Sequence, residues 1–180
     1  MEESLRKLIN ATHAFLYDLR DERLKTFLAD WPDMEIAFRD IAPQTLPVLA
    51  HMRQAVETAS ENTEDLVNTL AILADTLAWG QTYSADDFGP GFLEKYGWSE
   101  FIGLRGPIPS ERVACGVLML GPGVEYPRHR HEAEEVYIPL SGQTLWLKGE
   151  KDWAFRELGR PVYHAPWVTH AMQTGPVFFA

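Results

Sequence analysis

His129 and His131 stand two residues apart, Glu135 follows four residues later, and a further histidine lies at His170. Neutral imidazole nitrogens and a carboxylate oxygen are the donors that borderline first-row divalent metals accept. The set suits zinc, iron, manganese, nickel or cobalt, with the first three leading. Cys115 is the only cysteine, so a cysteine-based zinc site and an intrachain disulfide are both excluded. Three or four protein ligands leave coordination positions for substrate or water. Tyr137 stands two residues beyond Glu135. On spacing alone it is either a base beside a metal or a core aromatic whose hydroxyl is satisfied.

Such donors act only if the backbone aims them together. A strand points residues two apart to one face, so His129 and His131 share a face, and so do Glu135 and Tyr137. A short turn through Ala133 returns the chain so that Glu135 faces the histidines. Gly123 makes the turn before this unit and Gly142 ends it. A later strand supplies His170. A lone His-x-His pair is usually polar surface. The glutamate at fixed spacing, the framing glycines and the later strand histidine set this one apart. His13 and His51 fall on helical patterns and read as structural. His164, two residues before Pro166, is either beside the ligands or exposed.

The supporting elements have a period of two. Strands are expected over 113–120, 135–140, 144–148, 153–156, 162–165, 170–174 and 177–179, separated by short turns such as Gly121-Pro122-Gly123 and Ser141-Gly142. Many short strands joined by tight turns imply a sandwich or barrel. The chain stops at Phe178-Phe179-Ala180 without a polar tail, an abrupt finish that suggests a further strand beyond it.

Before residue 80 the apolar period is helical. Leu5, Leu8, Ile9, Thr12, Phe15, Leu16 and Leu19 form one stripe, which Leu24, Phe27 and Leu28 extend. Pro43 and Pro47 bound or open a second helix through Leu49, Met52 and Val56. Ser60 or Asn62 caps a third, carrying Leu66, Leu70, Leu73 and Leu77. The expected organisation is a helical region over 1–78, an aromatic Gly/Pro-rich connection over 79–110 and a barrel over 111–180, together forming one unit. A connection this long either packs on the barrel or covers a site.

The 180 residues carry a net charge of -10, all of it arising in residues 1–100. That balance gives no electrostatic reason to bind nucleic acid or an anionic membrane. No stretch approaches the ~18 apolar residues of a membrane span, and Met1-Glu2-Glu3 opens no signal peptide. The expectation is a cytoplasmic protein, with a homodimer left open.

The spacing from Gly123 through His129, His131 and Glu135 to Gly142 resembles the first motif of the cupin superfamily. The second cupin motif is matched loosely by Gly159 and by Pro166-Trp167-Val168-Thr169-His170. Its internal glycine is absent and its proline-to-histidine spacing is one residue short. The resemblance implies a mainly β fold, a jelly-roll cupin β-barrel preceded by a helical region packed on it. A narrower resemblance rests on the helical N-terminal region, the stretch from Tyr83 through Phe88 to Phe92, and Glu135-Val136-Tyr137. In these the chain looks like the bacterial cupin-type dimethylsulfoniopropionate (DMSP) lyases.

That resemblance implies a lyase releasing dimethyl sulfide and acrylate from a small zwitterionic substrate. It implies His131, Glu135 and His170 as metal ligands, with His129 on or beside the metal. It also implies Tyr137 as the base and Tyr126 as a further active-site tyrosine. The sulfonium end would need only an aromatic wall. Trp167, Tyr163, Trp146 and the aromatics of the connection are all candidates. Two other functions use the same donors: an iron-dependent dioxygenase, which needs no base at Tyr137, and a non-enzymatic metal- or ligand-sensing cupin.

Overall fold

The computed structural model describes residues 2–33 and 35–175. Helix α1, Glu2–Asp18, buries Leu8 and Ile9 from its apolar stripe. Glu2 and Glu3 in its first turn favour the positive end of the helix dipole and pair with Arg6 and Lys7 one turn on. The stripe does not continue as one helix through Leu28. Arg20 takes a left-handed backbone (φ 51°), and Leu24 and Phe27 belong to a separate turn and the short α2, Lys25–Ala29. Pro47 opens a 3-10 turn that runs into α3, Met52–Glu57.

Helix α4, Glu64–Leu73, has Thr63 at its N-cap rather than the expected Ser60 or Asn62. The Ser60 carbonyl accepts from the amides of Thr63 and Glu64. The buried Thr63 hydroxyl instead donates to Leu140 O at 2.7 Å, tying the helical region to the strands.

The aromatic stretch is more ordered than a connection. It holds two single-turn helices, α5 (Ala85–Phe88) and α6 (Pro90–Leu93), and strand β1, Tyr96–Ile102. Tyr96-Gly97-Trp98-Ser99-Glu100-Phe101 alternate in face, a period hidden among glycines and aromatics, and a register shift between Glu100 and Ile102 brings Ile102 to the same core as Phe101. The strands that follow are β2 (Cys115–Leu120), β3 (Glu125–His129), β4 (Glu135–Tyr137), β5 (Thr144–Lys148), β6 (Ala154–Phe155), β7 (Val162–His164) and β8 (His170–Thr174). Strand β4 is shorter than expected. Pro139, which has no N–H to give to a ladder, follows two residues after Tyr137. The strand expected over 177–179 lies outside the described residues.

All pairings between the named strands are antiparallel, in three sets: β1-β2, β3-β8-β5-β6 and β4-β7. The β1-β2 ribbon separates two cores. One face packs with Leu8, Ile9, Leu66, Leu70 and Trp79 under the helices, through Phe101, Ile102, Val117 and Met119. The other turns Tyr96, Trp98, Leu118 and Leu120 toward Tyr126, Trp146, Val162 and Met172. The helices therefore cover the strands through a shared core. No described helix is long and apolar enough to cross a membrane.

Candidate functional site

Two ladder registers assemble the site. In β3-β8, His129 lies directly opposite His170; in β4-β7, Glu135 lies opposite His164. The β3-β8 register shifts between Tyr126 and His129, an irregularity of the kind that re-aims side chains beside active sites. His131 falls just past the end of β3 rather than within it, and its carbonyl accepts from Trp167 N at 2.7 Å. That bond joins the first ligand segment to the turn leading into His170. Gly123 and Gly142, the framing glycines, both have left-handed backbones, at φ 69° and 70°. The second motif lacks its glycine, and Trp167 takes the left-handed backbone there itself, at φ 62°.

His129, His131, Glu135 and His170 offer one donor atom each within 4.8 Å of one another. Each histidine is oriented from behind. His129 Nδ1 lies 2.8 Å from Pro127 O, His131 Nδ1 2.8 Å from Ala133 O and His170 Nδ1 2.9 Å from Val168 O. A carbonyl only accepts, so each Nδ1 carries the proton. In the neutral rings Nε2 is then a bare lone pair, the usual tautomer of a ligating histidine. Burial holds His129 below its ordinary value despite the Pro127 hydrogen bond, which keeps that ring neutral.

With the rings neutral, the donor atoms meet without a proton to share. His131 Nε2 and His170 Nε2 stand 3.2 and 3.1 Å from the same Glu135 Oε2. His170 Nε2 is buried and makes no hydrogen bond. Lone pairs of nitrogen and a carboxylate oxygen repel at that distance. One cation among them would satisfy all of them, so the four residues fit a divalent metal ion. Burial works against the Glu135 charge, yet the net direction is below its ordinary value, so the carboxylate is ionised and can offer its oxygens to a cation.

Tyr137 shares the inward face of β4 with Glu135, as its spacing predicts, and its ring lies 5.1 Å from Trp146. Burial first and the Glu135 charge second hold its phenol well above the ordinary value. Tyr126 is buried, with its ring 5.1 Å from His129. Burial, then the neighbouring Tyr96 hydroxyl, raises it too. A cavity of about 860 Å³ is lined by Tyr126, His131, Glu135, Tyr137, Trp146 and Met172 and runs on beneath the helices.

The aromatic candidates separate. Trp146 is buried beside Tyr137, with its indole N–H donating to Thr144. Tyr163 alternates out of the inward face. Its hydroxyl donates to Glu134 at 2.9 Å, and Lys148 sits over its ring, so it is not a wall of the site. Trp167 is 60% exposed. The connection contributes Tyr83, Phe92 and Tyr96, whose rings lie 5.9, 6.5 and 5.4 Å from that of Tyr126. In the sequence Tyr96 was one of the connection's many aromatic candidates; its alternation with Trp98 is the signal that would have singled it out. His164 proves buried beside the ligands rather than exposed. Its ring is stacked 4.2 Å from His170, and burial pushes it down to about 4.

The family model for dimethylsulfoniopropionate lyase matches residues 22–179. The chain is 30% identical over 156 residues to the putative dimethylsulfoniopropionate lyase DddL of Cereibacter sphaeroides, covering 86% of this chain and 65% of that protein. It is 26% identical over 155 residues to the dimethylsulfoniopropionate lyase DddQ of Ruegeria pomeroyi, covering 86% of this chain and 76% of that one. This chain thus spans about two thirds to three quarters of the length of these relatives. A chain from the crystal structures of the DMSP lyases RdDddP and RnDddQII superposes with a TM-score of 0.86 at 27% identity, over 97% of this chain and 87% of the other. The DddQ structure from Ruegeria pomeroyi has the same fold, with a TM-score of 0.84 at 22% identity over the same shares. With a family match across most of its length, this chain belongs to the dimethylsulfoniopropionate lyase family.

Proposed function

We propose that this protein is a metal-dependent carbon–sulfur lyase that cleaves DMSP to dimethyl sulfide and acrylate, with His129, His131, Glu135 and His170 as ligands and Tyr137 as the base. The carrying observation is the convergence of three Nδ1-anchored imidazoles on one half-buried carboxylate, with Tyr137 on the same face of the same strand. A bound divalent ion would supply positive charge there, neutralising Glu135, favouring the phenolate of Tyr137 and drawing charge from the substrate carboxylate.

The residues divide the remaining work. The Tyr137 oxygen takes the proton from the carbon next to the carboxylate. The electron pair left behind forms the carbon–carbon double bond, and the bond to sulfur breaks with its pair on sulfur. Dimethyl sulfide leaves neutral, so no general acid is required. The proton on Tyr137 returns to solvent after product release. The aromatic group of Tyr83, Phe92, Tyr96 and Tyr126 offers ring faces to the sulfonium and keeps water from the reacting carbon.

The test is headspace dimethyl sulfide from purified protein given DMSP, first stripped with a chelator and then supplied with zinc, iron, manganese, nickel or cobalt. Release that appears with metal and disappears with chelator is expected. No release with any of the five would reject the lyase reading.

A further inference from the structure

Of the six histidines, His164 alone is buried among the site residues without belonging to the ligand group. Its ring is 1% exposed, and neither nitrogen has a hydrogen-bond partner. It therefore contributes nothing to the site by hydrogen bonding. What it contributes is a flat face. The ring lies 4.2 Å from that of His170 with their planes 22° apart. The ring of Trp146 lies 6.1 Å from that of His164 with their planes 24° apart. Tyr137 closes the side, 6.0 Å away at 73°.

His170 needs such support. The bond from Nδ1 to Val168 O sets its tautomer and one direction in the ring plane, but leaves the ring free to tilt about that contact. His129 meets it edge-on at 4.1 Å and 61°. His164 supplies the facing contact. We infer that His164 is a positioning residue: through its ring face, it fixes the plane of His170 and so the direction of the Nε2 lone pair. This rests on His170 being a metal ligand.

The experiment compares wild type, His170→Ala, His164→Ala and His164→Phe as stripped full-length proteins. Each is titrated with cobalt(II), and affinity and the visible ligand-field bands are read without substrate. Loss of binding in His170→Ala confirms the ligand. His164→Ala should weaken binding by ~10-fold or more, the scale on which outlying supports of a ligand act, and should shift the bands. His164→Phe keeps a flat face and discards both unpartnered nitrogens, so it should restore affinity and bands toward wild type. If His164→Ala does not fold, His164→Leu, which fills the space without a flat face, takes its place. Wild-type affinity and bands in His164→Ala would overturn the assignment. So would a His164→Phe protein as weak as the Ala variant, since the nitrogens would then matter. Undiminished binding in His170→Ala would instead overturn the metal ligand itself, and this role with it.

Discussion

The two faces of the β1-β2 ribbon bury side chains equally well but of different kinds. Under the helices, Leu8, Ile9, Val48, Ile102 and Ile108 are all 0% exposed and carry no polar side-chain atom. Burial there converts directly into stability, at about 25 cal/mol per Å² of apolar surface. On the opposite face the large buried residues are Tyr96, Tyr126 and Trp146, each with a polar atom, and beyond them lie His164 and His170. Three buried ring nitrogens there have no hydrogen-bond partner, against one, Trp31 Nε1, among the described residues packed on the helix side. Each such atom costs about 1–3 kcal/mol. The difference teaches a division of labour: the helix-covered face stabilises the ribbon, and the other face can hold unpartnered ring nitrogens because of it.

Breaking the site face first gives the largest effects. His131→Ala or His170→Ala should lose bound metal and, on the proposed function, all measurable DMSP turnover, while the fold survives. His129→Ala should be similar or milder. Metal analysis together with circular dichroism checks this; full metal occupancy in both of the first two variants would contradict it. Breaking the other face should do the reverse. Ile102→Ala deletes fully buried methyl groups from the apolar core and should destabilise by about 2–5 kcal/mol in denaturant unfolding. Turnover per folded molecule should stay near wild type. A variant that lost turnover without losing stability would erase the distinction between the faces.

A pH series on metal-free protein sharpens the comparison. His164 is depressed by burial to about 4, against 6.5 for a free histidine. Below the free value the unfolded chain takes up a proton that the folded chain refuses. The stability this group protects is therefore complete above pH 6.5 and is lost as pH falls from there toward 4. The thermal midpoint should drop across that window, and less steeply in His164→Phe. Equal slopes would remove His164 from the account. The smallest effect is expected at Trp167, an exposed residue with a left-handed backbone. Trp167→Gly relieves that backbone and should stabilise the protein by about 1 kcal/mol, read from the unfolding midpoint.

The clustering of the four donor residues was legible because its logic is local. His129, His131 and Glu135 sit on one short unit, the end of β3, a turn and the start of β4, so few residues separate them. The helices were legible from Leu8, Ile9, Leu66 and Leu70, whose spacing is helical. Their ends were not, because Arg20 and Thr63 are set by tertiary contacts and turn geometry. Strand β1 was hidden: Gly97 and Ser99 interrupt its apolar run, and the aromatic Tyr96 and Trp98 resemble a loop composition. His164 could not be placed from sequence. Its position beside His170 depends on β7 pairing with β4 opposite Glu135, a register between distant segments. The same holds for Tyr163, whose outward direction follows from Val162 and His164 facing in.

The central claim is that the positive charge held by the ligand group makes Tyr137 a base. It is tested most directly by initial rates of dimethyl sulfide release from wild type and Tyr137→Phe loaded to equal metal content. One oxygen is lost, so fold and metal should be kept. The turnover rate should nevertheless fall at least ~100-fold, the low end of what a positioned proton acceptor contributes. KM should move less, since the ligand group and aromatic wall remain. A Phe variant that turns over DMSP at close to the wild-type rate would contradict the claim, return Tyr137 to the role of a core aromatic, and leave Tyr126 or His129 to be tried as the base.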